Sequence, residues 1–237
     1  MRDNYIYFAG KMLSDFDTFI TNAGVYDTPA RNYDSVEVAG RNGNLLFENN
    51  RFDNIEHKYP TIIMSDFDKN FAGLRSFLLS QKGYQRLSDT FNPDEFYLAT
   101  FKGFDGIKQE KLNTNKNTKG ICTLIFERKP QRYLKSGETK YTFTGASSLL
   151  NPTMFEALPL IRVYGDGTLT INSVSIAVNT DYAHLDIDCE LQEVLQVSGN
   201  LDVTLTNGKF PKLDPGINNI SFTGFSEIEI TPRWWTL

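Results

Sequence analysis

A mainly β protein of two domains is what this 237-residue sequence predicts. Three observations carry the prediction. The second half alternates apolar and polar residues through one short segment after another. Turn residues break those segments at close intervals. One stretch of the first half, and only one, changes to a helical period.

The first half reads as a sheet carrying a helix. "NYIYFAG" (Asn4–Gly10), "DSVEVAG" (Asp34–Gly40), "PTIIM" (Pro60–Met64), "FYLATF" (Phe96–Phe101) and "ICTLIFE" (Ile121–Glu127) are strand-like. Asn42-Gly43 is the strongest short hairpin signal in the chain. In "DFDKNFAGLRSFLLSQKG" (Asp66–Gly83), Phe71, Leu74, Phe77 and Leu78 fall on one helical face. Asp66, Asp68 and Asn70 then form its N-cap region, where the helix dipole favours carboxylates, and Gly83 is the expected C-cap. "DGIKQEKLNTNKNTKG" (Asp105–Gly120) is too polar to bury and is expected to be an exposed loop or projecting hairpin. In "KPQRYLKSGETK" (Lys129–Lys140), Pro130 and a run of polar residues separate two strand patterns. The expected domains are therefore residues 1–133 and 134–237.

The second half predicts an antiparallel sandwich. "TLTINSVSIAV" (Thr168–Val178) alternates on both sides of a turn or bulge at Asn172-Ser173. "LDIDCEL" sets Leu185, Ile187, Cys189 and Leu191 against Asp186, Asp188 and Glu190. "LDVTLTNG" alternates up to Asn207-Gly208, a hairpin signal, and Gly165-Asp166-Gly167 is another.

Composition narrows the function classes. Hydrophobic residues at 40% and charged residues at 22% fit a packed globular protein. Residues 1–135 carry 19 Lys and Arg against 17 Asp and Glu, and residues 136–237 carry 5 against 12, a net of −7. Neither half is the dense basic surface that neutralising many phosphates needs, so no nucleic-acid binding is expected. The longest apolar runs, such as "LIF" at Leu124–Phe126, are too short to span a bilayer. The first residues carry no secretion signal, and Cys122 and Cys189 read as buried free thiols of a chain made in a reducing cytoplasm.

Few residues stand in the spacing that catalysis or metal binding needs. His57 and His184 lie in different halves without Cys or His at metal spacing. Asp66, Asp68 and Asn70 have the spacing that opens a calcium loop, but Phe71 stands where the glycine must be and Phe77 where the bidentate Glu belongs. Asp186/Asp188 and Glu227/Glu229 are alternate carboxylates on strands, the pattern of a solvated face rather than of a catalytic dyad. No catalytic, cofactor-binding or metal-ligating residue is assigned, and no enzyme is expected.

The chain closes on "EIEITPRWWTL" (Glu227–Leu237), with both tryptophans adjacent. Strand parity sends Trp234, with Ile228 and Ile230, into a core. It sends Trp235 outward beside Arg233, either into a partner contact or onto a neighbouring loop of the same chain.

"FERKPQRYLKSGE" (Phe126–Glu138), "LLNPTMFEALPLIRVYGDGTLTI" (Leu149–Ile171) and the close "NGKFPKLDPGINNISFTG…IEITPRWWTL" together resemble the distal tail protein family of long non-contractile-tailed bacteriophages and related prophages. "VAGRNGNLLFENNRFDNIEHKYP" (Val38–Pro60) and "GYQRLSDTFNPDEFYLATF" (Gly83–Phe101) fit the same pattern, so the resemblance covers essentially the whole chain. It departs at Ala39, where a proline is expected, and at Arg128, where many relatives carry a small residue or cysteine.

The resemblance implies a structural hub of the virion's tail tip or baseplate: a homohexameric ring of N-terminal domains bordered by galectin-like C-terminal sandwiches. Such a ring joins the tail tube to a tail-associated lysin or tail fibre, and a receptor-binding protein is a further expected partner in host adsorption. Candidate contact residues are Arg41, Asn42, Gly43 and Asn44 of the hairpin, Lys108, Lys111 and Lys116 of the projecting segment, and Arg233 and Trp235 of the tail. The alternative is a lectin-like tail module that binds carbohydrate during host attachment. His184 and the terminal tryptophans are a poor match to the His, Asn, Arg and stacking Trp cluster of a galectin site.

Overall fold

The computed structural model describes residues 4–22, 27–110, 118–180, 183–195, 201–205 and 208–237. Contacts divide the chain into two units, Met1–Arg132 with Leu237, and Tyr133–Thr236.

The first unit is a twisted antiparallel sheet with one helix. Its strands are β1 (Ile6–Phe8), β2 (Lys11–Met12), β3 (Thr18–Ile20), β4 (Arg31–Val36), β5 (Leu45–Phe52), β6 (Ile55–Ile63), β7 (Gln85–Asp89), β8 (Glu95–Glu110) and β9 (Lys119–Arg128). The main sheet runs β2-β1-β7-β8-β9-β6-β3. Period-2 burial is clear along β9, where Gly120, Cys122, Leu124, Phe126 and Arg128 point inward. Helix α1 (Phe67–Ser80) buries Phe67, Leu74 and Leu78 in the same core as Phe8, Tyr59 and Phe126.

The ends of α1 differ from the sequence expectation. Asp66 occupies the N-cap position in a left-handed conformation, φ 38°, and its side chain caps nothing. The Phe67 N–H instead donates to the Thr118 carbonyl at 3.0 Å, so a partner distant in sequence satisfies an end that local chemistry was expected to satisfy. At the other end the C-cap is an extended Gln81, whose side-chain amide donates to the Phe77 carbonyl. Gly83 takes its positive φ further on, in the turn into β7.

β4 and β5 form a two-stranded ribbon apart from the main sheet. The hairpin expected around Asn42-Gly43 is present, but loop 37–44 is longer than a two-residue turn and takes positive φ at both Gly40 and Gly43. The Asp105–Gly120 segment is a hairpin continuing β8 and β9, whose tip, 111–117, lies outside the described residues. Its base is not a free projection. Gly120 is buried with Phe67 against it, in a space no larger side chain could enter.

The second unit is two five-stranded antiparallel sheets over one core. Chain order runs through β10 (Arg132–Leu134), β11 (Tyr141–Phe143), β12 (Ser147–Asn151), β13 (Leu160–Val163), β14 (Gly167–Ile171), β15 (Val174–Thr180), β16 (Leu185–Asp188), β17 (Glu193–Leu195), β18 (Leu201–Leu205), β19 (Gly216–Thr223), β20 (Ile228–Thr231) and β21 (Trp235–Thr236). One sheet is β11-β20-β13-β16-β17 and the other β12-β19-β14-β15-β18. Ile161, Ile187 and Ile230 of the first face Leu169, Ile176 and Ile220 of the second. Asn172-Ser173 is the turn of the β14–β15 hairpin, with Ile171 paired to Val174.

Gly165–Gly167 does not make a hairpin. β13 and β14 belong to different sheets, so the glycines turn a corner between layers. A Cβ at Gly167 would collide with the Thr223 carbonyl and the Phe225 backbone. Asn207 lies outside the described residues, which leaves the turn expected there undescribed. Cys122 and Cys189 are buried and free of disulfides.

Candidate functional site

The β4–β5 ribbon carries exposed apolar residues on both faces. Cross-strand partners point the same way. Tyr33 and Leu46 share one face at 53% and 56% exposure, and Val36, Leu45 and Phe47 (53%) share the other. Its polar residues bond mostly to one another, as in Asn49 to Asn32 and Asn44 to Ser35. A two-stranded ribbon is at best marginally stable in water by itself, and exposed apolar patches of this kind mark interaction surfaces. Arg41, Asn42, Gly43 and Asn44 are exposed at its tip.

Lys108 is exposed on β8 near the end of the second hairpin, beside exposed Ile107 and across from exposed Ile121. Lys111 and Lys116 lie outside the described residues.

The tail residues have intramolecular duties. Trp234 is 2% exposed in the second core, as parity predicts. Trp235 is half-buried, stacked on Phe155 at 4.4 Å, and its indole N–H donates to the Glu156 carbonyl at 2.9 Å. The open alternative for Trp235 therefore resolves, within this unit, toward packing on a neighbouring loop. Arg233 holds Asp188 through two hydrogen bonds of 2.8 Å.

Asp188 departs from the solvated-face reading. It is buried, its oxygens taken by Arg233 and by the N–H groups of Glu190 and Leu191. The Arg233 hydrogen bonds hold its pKa below the usual carboxylate range. The strand ends at Asp188, so alternation stops and Leu191 is 61% exposed rather than inward. Asp186 keeps an outward ion pair with Arg162.

At one end of the first unit's core, inward positions turn polar. β7, β8, β9 and β6, adjacent in the sheet, place Asp89, Tyr97, Arg128 and His57 there. They surround a cavity of about 30 Å³ also lined by Arg132 and Leu237. Asp89 accepts the Tyr59 hydroxyl and the N–H groups of Phe91 and Asn92 at 2.8–3.0 Å. Arg132 grips both oxygens of Glu95. His57 Nδ1 lies 2.6 Å from Asp27. Arg128 lies over the Tyr97 ring at 4.2 Å, and its buried Nε has no partner among the described residues. Burial, then the Arg128 charge, lowers the His57 pKa in spite of Asp27. Burial raises those of Tyr97 and Tyr59.

This cluster was missed from the sequence. His57 drew attention only as an isolated histidine, and Arg128 only as a departure from the family pattern. The available signal was Arg128 at an inward position of the "CTLIFER" alternation. Among the described residues no group of three His, Cys, Asp or Glu could hold a metal.

No protein-family model matches the sequence, and no curated protein matches it. Solved structures do share its fold. The Dit (gp 19.1) protein of phage SPP1, described as a paradigm of the hub adsorption apparatus in phages infecting Gram-positive bacteria, matches with a TM-score of 0.75 at 14% identity over 99% of both chains. A chain of the phage P2 baseplate, in its activated conformation with Ca, matches at 0.51 and 10% identity over 97% of this chain and 98% of that one. The fold is therefore shared with the SPP1 Dit protein over nearly the full length of both chains.

Proposed function

We propose that this chain is a structural hub of a phage tail tip, a ring-forming adaptor and not an enzyme. The observation that carries the reading is the fold match to a hub protein over 99% of both chains. An isolated domain match would have fitted many functions, because folds are reused.

The exposed surfaces fit assembly. A ring of identical subunits needs heterologous contacts, one patch meeting a different patch on its neighbour. The β4–β5 ribbon, with its apolar residues and Arg41–Asn44 at its tip, supplies such a patch, and the end of β8 at Lys108, with Lys111 and Lys116 next along the sequence, supplies a second. In this reading a homohexamer of first units joins the tail tube to a tail-associated lysin or fibre, and a receptor-binding protein attaches to the same hub. Arg233 and Trp235 contribute through the exposed edges their intramolecular partners leave.

Light scattering across low to high micromolar concentrations tests the ring. Hexamers are expected at the upper end, with closed rings in negative-stain images. A monomer throughout that range would count against ring assembly.

A further inference from the structure

We propose that Asn42 is a site of spontaneous covalent modification, where free chains convert the side-chain amide to aspartate and isoaspartate and so add a negative charge to the tip of the β4–β5 ribbon. The modification stands on the ribbon alone. Its consequence, a weakened subunit contact at Arg41–Asn44, rests on the hub reading, because a carboxylate is costlier than an amide to bury in a contact.

The Asn-Gly pair of a two-residue type I′ turn holds both residues at positive φ. Here only Gly43 does, at 81°, and the pair belongs to loop 37–44, exposed along its whole length. Neither the Asn42 amide nor the Gly43 N–H has a hydrogen-bond partner among the described residues. The space around Gly43 is open, since even an added Cβ would meet nothing within 4 Å. Nearby asparagines are held: Asn44 donates to Ser35 at 2.7 Å and Asn49 to Asn32 at 2.8 Å. So is Asn172, which precedes Ser173 in the β14–β15 turn. Its amide donates to Asn218 at 2.9 Å and accepts from the Asn219 N–H at 3.0 Å.

These restraints matter because the reaction folds the side chain back onto the next peptide. The Gly43 nitrogen, its proton lost to hydroxide, attacks the Asn42 Cγ, and glycine carries no Cβ to obstruct the approach. The bond from Cγ to the side-chain nitrogen breaks, that nitrogen takes a proton from water and leaves as ammonia, and a cyclic succinimide remains. Water then opens the ring. Opening at the side-chain carbonyl gives aspartate; opening at the main-chain carbonyl gives isoaspartate, whose backbone runs through the side chain. In total one water is consumed and one ammonia released, with no oxidant or cofactor.

The test incubates the dilute, folded full chain at neutral and mildly alkaline pH beside a sample unfolded in guanidinium. Cleavage after glutamate then yields Val38–Glu48, in which fragment masses separate Asn42 from the restrained Asn44. Asn42 is expected to convert in both samples, to a mixture of the two isomers, and faster at the higher pH because the attacking nitrogen must lose its proton. Asn172 is expected to convert only in the unfolded sample. Asn42→Gln, whose longer side chain closes a ring far more slowly, should end the conversion at this position. Conversion of Asn42 confined to the unfolded sample overturns the proposal, since the loop then restrains it. Aspartate without isoaspartate overturns it as well, since the Gly43 nitrogen then takes no part. For assembly, Asn42→Asp should raise the concentration at which hexamers form in light scattering. Equal assembly of this variant and the wild type removes the consequence for ring contacts. A wild type that forms no ring at any concentration counts against the hub reading, while the fragment masses still decide the modification.

Discussion

Arg233 and Asp188 bind the end of the chain into the second unit, and their pairing has a defined pH signature. Asp188 has a folded pKa below its unfolded value of about 3.9. Its contribution is therefore complete above that unfolded value and is lost as pH falls through the folded one. Removing one partner of a buried pair leaves the other uncompensated, so Asp188→Ala should cost about 3 kcal/mol at neutral pH. Urea melts at pH 7 and pH 3 check this: the gap between variant and wild type should shrink at the lower pH. A gap that stays constant would mean that Asp188 acts through its turn hydrogen bonds rather than its charge. The neighbouring tryptophans divide in the same way. Trp234→Ala removes a core side chain and should cost on the order of 3–5 kcal/mol. Trp235→Ala removes a half-exposed stack and one hydrogen bond, and should cost less. The reverse order in denaturant melts would contradict the core assignment of Trp234.

Elements depend on close approaches that no side chain could allow. A Cβ at Gly137 would collide with the backbone at Arg233 and Trp234, in the segment between β20 and β21, where the Arg233 N–H donates to the Gly137 carbonyl at 2.8 Å. Gly137→Ala should therefore destabilise the second unit by roughly 1–3 kcal/mol by forcing the tail outward. An increase in Trp234 exposure, read by quenching of the indole fluorescence, would accompany it; an unchanged melt and spectrum would show that the turn adjusts. The β4–β5 ribbon makes the opposite prediction. Leu46 and Phe47 bury little in the single chain, so Leu46→Glu and Phe47→Glu should leave the melt within about 0.5 kcal/mol of wild type. The same substitutions should abolish ring formation in light scattering. A large loss of stability would mean that the ribbon packs on its own subunit.

At the scale of the whole molecule, the two units hold separate cores, Phe8, Leu74 and Phe126 in one and Ile161, Leu169 and Trp234 in the other. Limited proteolysis should cut first between about Lys129 and Thr142 or within Asp105–Gly120. Early cleavage inside β18 would contradict this division.

The sequence by itself determined the helix, several of the strands, most of the apolar residues it placed inward, the burial of Trp234 and the hairpin around Asn42-Gly43; it ran the strand at Asp34 on to Gly40, where the chain leaves β4 at Val36. These follow from periodicity and turn chemistry, which act between residues a few positions apart. Only the tertiary structure decided the rest. Gly165–Gly167 reads as a hairpin turn but becomes a corner between sheets, because which sheet accepts the next strand depends on strands far along the chain. Asp188 reads as a surface acid until Arg233, 45 residues away, reaches it. The helix start relies on Thr118, and the Arg128 cavity needs four strands brought side by side. Hydrogen-bond partners and charge pairs are set by distance in space, and a single sequence records only distance along the chain.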